Sequence, residues 1–266
     1  MTARSAMTMN DREPSHDRQQ APLLNGARVL ALLDASRHSL AALAVAVDLA
    51  SRQQAELVAL YVEDTNLLAC AAFPFSCEIG SQSGTTRPLT HASLEATHAR
   101  QLQRVNRALS AAVAGRHVRH RLDVRRGQVA SEALTRAGPA DVLVMGKAGA
   151  TERWGRRLGS TSRRLILEAP CAVLLWDERH PLRPGPLRWL AQATAEPDVA
   201  ATIPEPLISL FDGVAPLHTH HAEELASLLA QAEAGGLLLH RAELALLLDE
   251  DTDLLARVAL PILVVP

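Results

Sequence analysis

The stretch Ala140–Trp176, ADVLVMGKAGATERWGRRLGSTSRRLILEAPCAVLLW, decides how this chain folds. It opens on one apolar run, Ala140–Met145, and closes on another, Cys171–Trp176. Both runs are short and bounded by Gly or Pro, so each reads as a buried strand. Between them, Thr161–Glu168 has helical spacing and Gly146–Ser160 is a glycine-containing loop. Strand, loop, helix and strand make one crossover unit, the connection that joins parallel strands.

The same alternation recurs upstream. Arg28–Leu33 (RVLALL) reads as a strand that ends at Asp34-Ala35-Ser36, and His38–Ser51 as a helix covering it. Glu56–Val62 (ELVALYV) reads as a second strand. Glu63–Thr90, with Phe73-Pro74-Phe75 and a Ser/Gly/Thr stretch at 80–86, reads as a mobile loop. Leu94, His98, Leu102, Val105, Leu109 and Val113 recur at helical spacing and predict an amphipathic helix. Val118–Val124 alternates apolar with charged residues, the pattern of a half-exposed edge strand. Gln128–Ala137 is a short helix ended by Gly138-Pro139. The expected fold is α/β: a five-stranded, parallel, doubly wound sheet with helices on both faces.

Beyond Trp176, the prolines 181, 184 and 186 mark a linker over 179–190. Asp249–Pro266 then aligns without gaps on Gly159–Trp176, and Leu237–Leu239 echoes Leu143–Met145 after a helix at His221–Ala234. Residues 191–266 are therefore expected to form a smaller, degenerate α/β lobe that copies the last β-α-β portion of the first. Residues 1–25 read as a disordered tail, and 26–178 as the main domain.

Composition narrows the function. At 266 residues and 48% hydrophobic, the chain is long enough for one or two ordinary cores. It has no apolar run of membrane-spanning length, and its charged N-terminal stretch lacks the apolar core of a secretory signal. The cysteines are Cys70, Cys77 and Cys171, an odd and sparse set that favours a reducing cytoplasm over a disulfide framework. Aromatics are only 3%, which argues against stacking platforms for nucleic acid. The net charge of −2 divides unevenly. Residues 183–266 hold four Arg against twelve Asp and Glu, a balance of −8, so residues 1–182 carry +6.

In an open parallel sheet, ligands sit beyond the carboxyl ends of the strands where the winding reverses. With strand order 3-2-1-4-5, that point lies between strands 1 and 4. The residues there are Asp34-Ala35-Ser36 after one strand and Met145-Gly146-Lys147-Ala148-Gly149 at the end of the other. Glycines let backbone N–H groups approach a phosphate, and the helix opening at Gly159-Ser160 adds free donors and a positive dipole end. Asp34 can accept from a sugar hydroxyl or an adenine amino group.

These residues resemble a family. Gly146-x2-Gly149-x9-Gly159-Ser160 is similar to the G-2x-G-9x-G-[S/T] nucleotide signature of universal stress proteins. Val29–Ser39, Glu56–Asp64, Gly127 and Ala169–Leu175 agree with it, so the resemblance covers 27–176. It implies the order 3-2-1-4-5 and a bound ATP or related adenine nucleotide, with or without Mg. It also implies pairing through the last strands, as a homodimer or as an intramolecular pseudo-dimer. By position, Asp34 holds the nucleoside end and Val62 lies near the base. Gly146, Gly149, Gly159, Ser160 and Thr161 surround the phosphates, with Ala35, Ser36, Met145, Lys147 and Ser162 beside them.

Three residues depart from the pattern: Ala35 where many members have Gly, Lys147-Ala148 for a small-polar and Arg pair, and the bulky Trp154. Lys147, the sole lysine, has two readings, a phosphate contact or a solvated loop residue; Arg153, Arg156 and Arg157 add positive charge. No G-x-G-x-x-G follows the first strand and no P-loop occurs. His218-x-His220-His221 has no matching ligand cluster, so no metal site is expected. No nucleophile stands paired with a base, so no catalytic residue is assigned. In the second lobe, Asp249-Glu250-Asp251-Thr252 stand at the phosphate helix and His240 and Glu243 at the glycines, in a loop about four residues shorter; phosphate chemistry is lost there. The expectation is a cytoplasmic stress-response sensor or regulator that binds an adenine nucleotide, with no nucleic-acid or membrane partner. The alternatives are an interaction module with a vestigial pocket and a slow nucleotide hydrolase.

Overall fold

The first strand, β1 (Arg28–Leu33), shows why the chain builds a sheet covered on both faces. Val29, Ala31 and Leu33 face one core while Leu30 and Leu32 face the other. Such a strand belongs at the centre of a sheet covered on two sides. In the computed structural model it pairs parallel with β2 (Glu56–Asp64) and with β6 (Val142–Gly146). The structure describes residues 26–80, 83–147, 158–176, 183–191, 203, 205–219 and 221–266.

The remaining elements of the first lobe follow in order. Helix α1 is Arg37–Gln53 and α2 is Thr65–Cys70. The strands β3 (Cys77–Ile79) and β4 (Thr86–Pro88) form a small antiparallel hairpin. Next come α3 (His91–Val113), β5 (His120–Gly127) and α4 (Val129–Arg136). After β6 come α5 (Ser160–Glu168) and β7 (Ala172–Trp176). One face of the sheet is covered by α1 and α3, the other by α4 and α5.

The second lobe contains β8 (Leu187–Leu190), α6 (Glu205–Ile208), β9 (Val214–Leu217), α7 (Ala222–Ala230) and β10 (Gly236–His240). It ends with α8 (Arg241–Glu250), α9 (Leu254–Arg257) and β11 (Ile262–Val265). Among the described residues the two lobes share one nine-stranded sheet, in the order β5-β2-β1-β6-β7-β11-β10-β8-β9. Every pairing in it is parallel except the seam, where β11 runs antiparallel to β7. At that seam Ile262 faces Leu175, Leu263 faces Leu174 and Val264 faces Val173. The gapless alignment makes Leu263 the counterpart of Val173 and Val264 that of Leu174. The pairing therefore exchanges the positions that the sequence alignment matches.

Three expectations need correction. Glu63–Thr90 is not simply a loop: it holds α2 and the β3–β4 hairpin. Asp64 caps α2, its Oδ1 accepting from the Asn66 amide at 2.8 Å, and Arg87 pairs with Glu78 across the hairpin at 2.6 Å. The 179–190 linker contains β8. Past Pro186, Leu187, Trp189 and Leu190 are buried between β10 and β9. The loop expected after His240 is a helix, α8, which buries Leu244, Leu247 and Leu248. The lobe is thus more than a β-α-β unit. The tail at 1–25 lies outside the described residues.

Candidate functional site

The candidate site lies at the carboxyl ends of β1, β2 and β6, where the chain leaves β1 for one face of the sheet and β6 for the other. Just past β1, the Asp34 Oδ1 accepts from the Ser36 amide at 2.9 Å, closing a tight turn. Ser36 then caps α1, its hydroxyl accepting from the Ser39 amide at 3.2 Å. Ser39 Oγ donates to the Ser36 carbonyl at 3.1 Å and accepts from the Asp34 amide at 3.3 Å. Asp34 itself is exposed, and Ser36 is half-buried.

Between them Ala35 is buried and adopts φ +62°, the left-handed region that L-residues enter at a cost. The conformation explains the preference for glycine at this position. Here the alanine methyl joins the core that contains Val29 and Leu33, which offsets part of that cost.

Val62 and Met145 are buried near the ends of β2 and β6, in the core opposite α1. Glu63 and Asp34 leave negative charge near this end of the sheet. Tyr61, in β2, feels it: burial first, then Glu63 and Asp34, push its hydroxyl up to about 12. That hydroxyl donates to Gln101 Oε1 at 3.0 Å, so it stays protonated and structural.

The glycines divide by role. Gly146 ends β6 and is pressed against α1: a methyl there would lie 2.8 Å from the His38 carbonyl carbon. Gly159 caps α5 at φ −63° and ψ 155°, is exposed, and a methyl there would meet nothing within 4 Å. Ser160 is exposed and Thr161 and Ser162 are half-buried in the first turn, where amides have no acceptor inside the helix. Gly149, Ala148, Arg153, Trp154, Arg156 and Arg157 lie outside the described residues.

Lys147 is not the solvated loop residue of one of its two readings. It is 5% exposed. Its amide donates to the Trp176 carbonyl at 2.7 Å, and its ammonium donates to the Val258 carbonyl in the second lobe. Sequence reading missed this because the partner lies 111 residues away, across the seam. A lone lysine in an arginine-rich chain was the only local signal.

At the corresponding end of β10, the opposite chemistry holds. His240 and Glu243 form a capping box for α8, and the Glu243 carboxylate accepts from the His240 amide at 3.0 Å. The helix dipole there is satisfied by the chain's own carboxylate. Among the described residues no group of three or more His, Cys, Asp or Glu is placed to hold a metal ion. No helix among them is long and apolar enough to cross a membrane.

Comparison with known proteins gives consistent results. The family model described as "Universal stress protein family" matches residues 27–176. The chain is similar to the crystal structure of a universal stress protein from Archaeoglobus fulgidus, at 13% identity and TM-score 0.55, over 91% of this chain and 97% of that one. A functionally unknown protein from Pseudomonas aeruginosa aligns at 11% identity and TM-score 0.50, over 91% of this chain and 93% of that one. Universal stress protein UspA from Lactobacillus plantarum aligns at 24% identity and TM-score 0.44, over 57% of this chain and 97% of that one. No curated protein matches. The first two likenesses run through both lobes and concern the fold.

Proposed function

The chain belongs to the universal stress protein family, and on that premise we propose that its first lobe binds ATP or a related adenine nucleotide. The role we assign is that of a stress-response sensor or regulator. The observation that carries the reading is Gly159: an exposed helix start with open space around it, on the carboxyl side of β6. A phosphate placed there meets the first-turn amides of Ser160, Thr161 and Ser162 and the positive end of the helix dipole. The Asp34–Ser36 turn at the end of the neighbouring strand β1 supplies a carboxylate for a ribose or adenine donor. Val62 and Met145 provide apolar surface for the base.

We read the second lobe as a degenerate copy of the first. Its sheet order from the seam outward, β11-β10-β8-β9, matches β7-β6-β1-β2 step for step and stops before a counterpart of β5. The seam register supports the same reading. The copy then acts as a built-in partner: α8 and its capping box stand where the first lobe has its glycine motif, so the chain takes one nucleotide.

Calorimetry of the full chain with ATP, alongside Gly159→Asp, tests this. Aspartate is a favoured cap at these dihedral angles, so the variant keeps its fold. Its carboxylate repels phosphate and should cost about 1–3 kcal/mol of binding, the scale of a lost charge-assisted hydrogen bond. Equal affinity in the folded variant overturns the placement, and no binding by the wild type at millimolar ATP overturns the function.

A further inference from the structure

The second lobe hydrogen-bonds the end of β6 beside the glycine motif and the far end of the helix that follows the motif. At the first end, Lys147 follows Gly146 directly and its ammonium donates to the Val258 carbonyl, at the C-terminal cap of α9. At the other end of the motif stands α5, whose first turn is Gly159–Ser162. Arg241 reaches its opposite, C-terminal end: Nε donates to the Ile166 carbonyl at 3.1 Å, and a terminal guanidinium nitrogen donates at 3.4 Å to the carbonyl of Cys171, just before β7. Arg241 follows β10 as Lys147 follows β6, so each lobe sends one cation to backbone carbonyls of the other. Helix α8, which begins at Arg241, packs on α5.

A backbone carbonyl at a helix end is a hydrogen-bond acceptor without an intrahelical partner, and a cation satisfies it well. A buried cation such as Lys147 is costly to displace, because its withdrawal leaves both the charge and the carbonyl unpaired; the half-buried Arg241 is held by two carbonyls. The two cations therefore act as fasteners: Lys147 ties down the end of β6 beside the motif, and Arg241 ties down the C-terminal end of α5, the helix whose first turn faces the proposed phosphate.

We propose that Lys147 and Arg241 are positioning residues through which the second lobe holds β6 and α5, the two elements that bear the phosphate site, in register. The proposal rests on the nucleotide reading for its ligand, but its structural part stands apart from it. Neither side chain touches the nucleotide. Linkage then runs in both directions: a docked lobe raises phosphate affinity, and bound phosphate tightens the lobe.

The test compares full-length wild type, Lys147→Met and Arg241→Met. Methionine keeps apolar length and removes the donor. Hydrogen exchange without nucleotide, read on peptides spanning 143–147 and 158–168, should rise in both variants. ATP affinity should fall at least tenfold, while adenosine, which has no phosphates, should lose less than threefold. Unchanged exchange in both variants overturns the proposal, as does an equal loss of ATP and adenosine affinity. If the wild type binds no ATP while exchange still rises, the fastening stands and the nucleotide reading fails. Should a methionine variant not fold, Lys147→Arg and Arg241→Lys, which keep a donor, are expected to retain wild-type exchange; faster exchange in both overturns the proposal.

Discussion

Gly146 lies against the backbone of His38: a methyl on it would stand 2.8 Å from the His38 carbonyl carbon and 2.9 Å from the Ser39 nitrogen. Both of those neighbours are main-chain atoms of α1 and cannot swing aside. The first glycine of the motif is therefore required by packing between α1 and β6, whatever ligand the site takes.

Gly146→Ala should accordingly destabilise the fold by about 1–3 kcal/mol, the usual cost of overpacking a core. Urea unfolding of the two proteins measures it. A change below about 0.5 kcal/mol would mean that α1 shifts freely and that the contact is not restrictive.

Asp141 supplies the second prediction. It is buried, and its carboxylate accepts from the Arg28 guanidinium at 2.6 Å, the Arg28 amide at 2.9 Å and the Gly138 amide at 2.8 Å. Burial alone would raise its pKa; the Arg28 hydrogen bond, the two amides and the Arg28 charge outweigh that and hold it below the usual carboxylate value. A lowered folded pKa means stability that is present above the unfolded value, near about 4, and lost as pH falls through the folded one. Asp141→Asn should cost about 1.5–3 kcal/mol at pH 7, the scale of a hydrogen bond to a charged group. The gap between wild type and variant, read from urea midpoints, should shrink as pH drops below about 4. A gap independent of pH would show that the charge contributes nothing.

The seam supplies the third. Val173, Leu174 and Leu175 are buried in β7, and β11 is their outer neighbour. Deleting residues 183–266 leaves an apolar strand edge open, and such edges pair with further chains. Sedimentation should show the truncated protein self-associating where the whole chain does not. A truncated form as monomeric as the full chain would mean that the second lobe is not what protects this edge.

Much of the first lobe was legible from local pattern. RVLALL and AVLLW are too apolar and too short to be anything but buried strands, and the 23-residue helix α3 follows directly from the spacing of Leu94, His98, Val105 and Leu109. The hairpin within Glu63–Thr90 was not legible. Its strands are three residues each and mostly exposed, so they carry no period for a reader to find. β8 was hidden by the prolines just before it, and α8 by a local sequence that aligns with a loop.

In the site, residue types and spacing pointed to Asp34, Gly146, Gly159 and Ser160, because the chemistry of a turn, a close approach and a helix start is local. The distinction between Gly146 and Gly159 was not local: one is pressed against α1 and the other faces open space, which depends on what the fold brings alongside.

By itself the sequence determined the alternation of buried strands and covering helices, since burial on two faces follows from apolar runs and their punctuation. Tertiary structure alone decided the destination of Lys147. Val258, 111 residues on, presents a carbonyl to it because β7 and β11 join two lobes into one sheet. A desolvated cation takes the nearest unpaired carbonyl, and which carbonyl is nearest is set by how the elements pack.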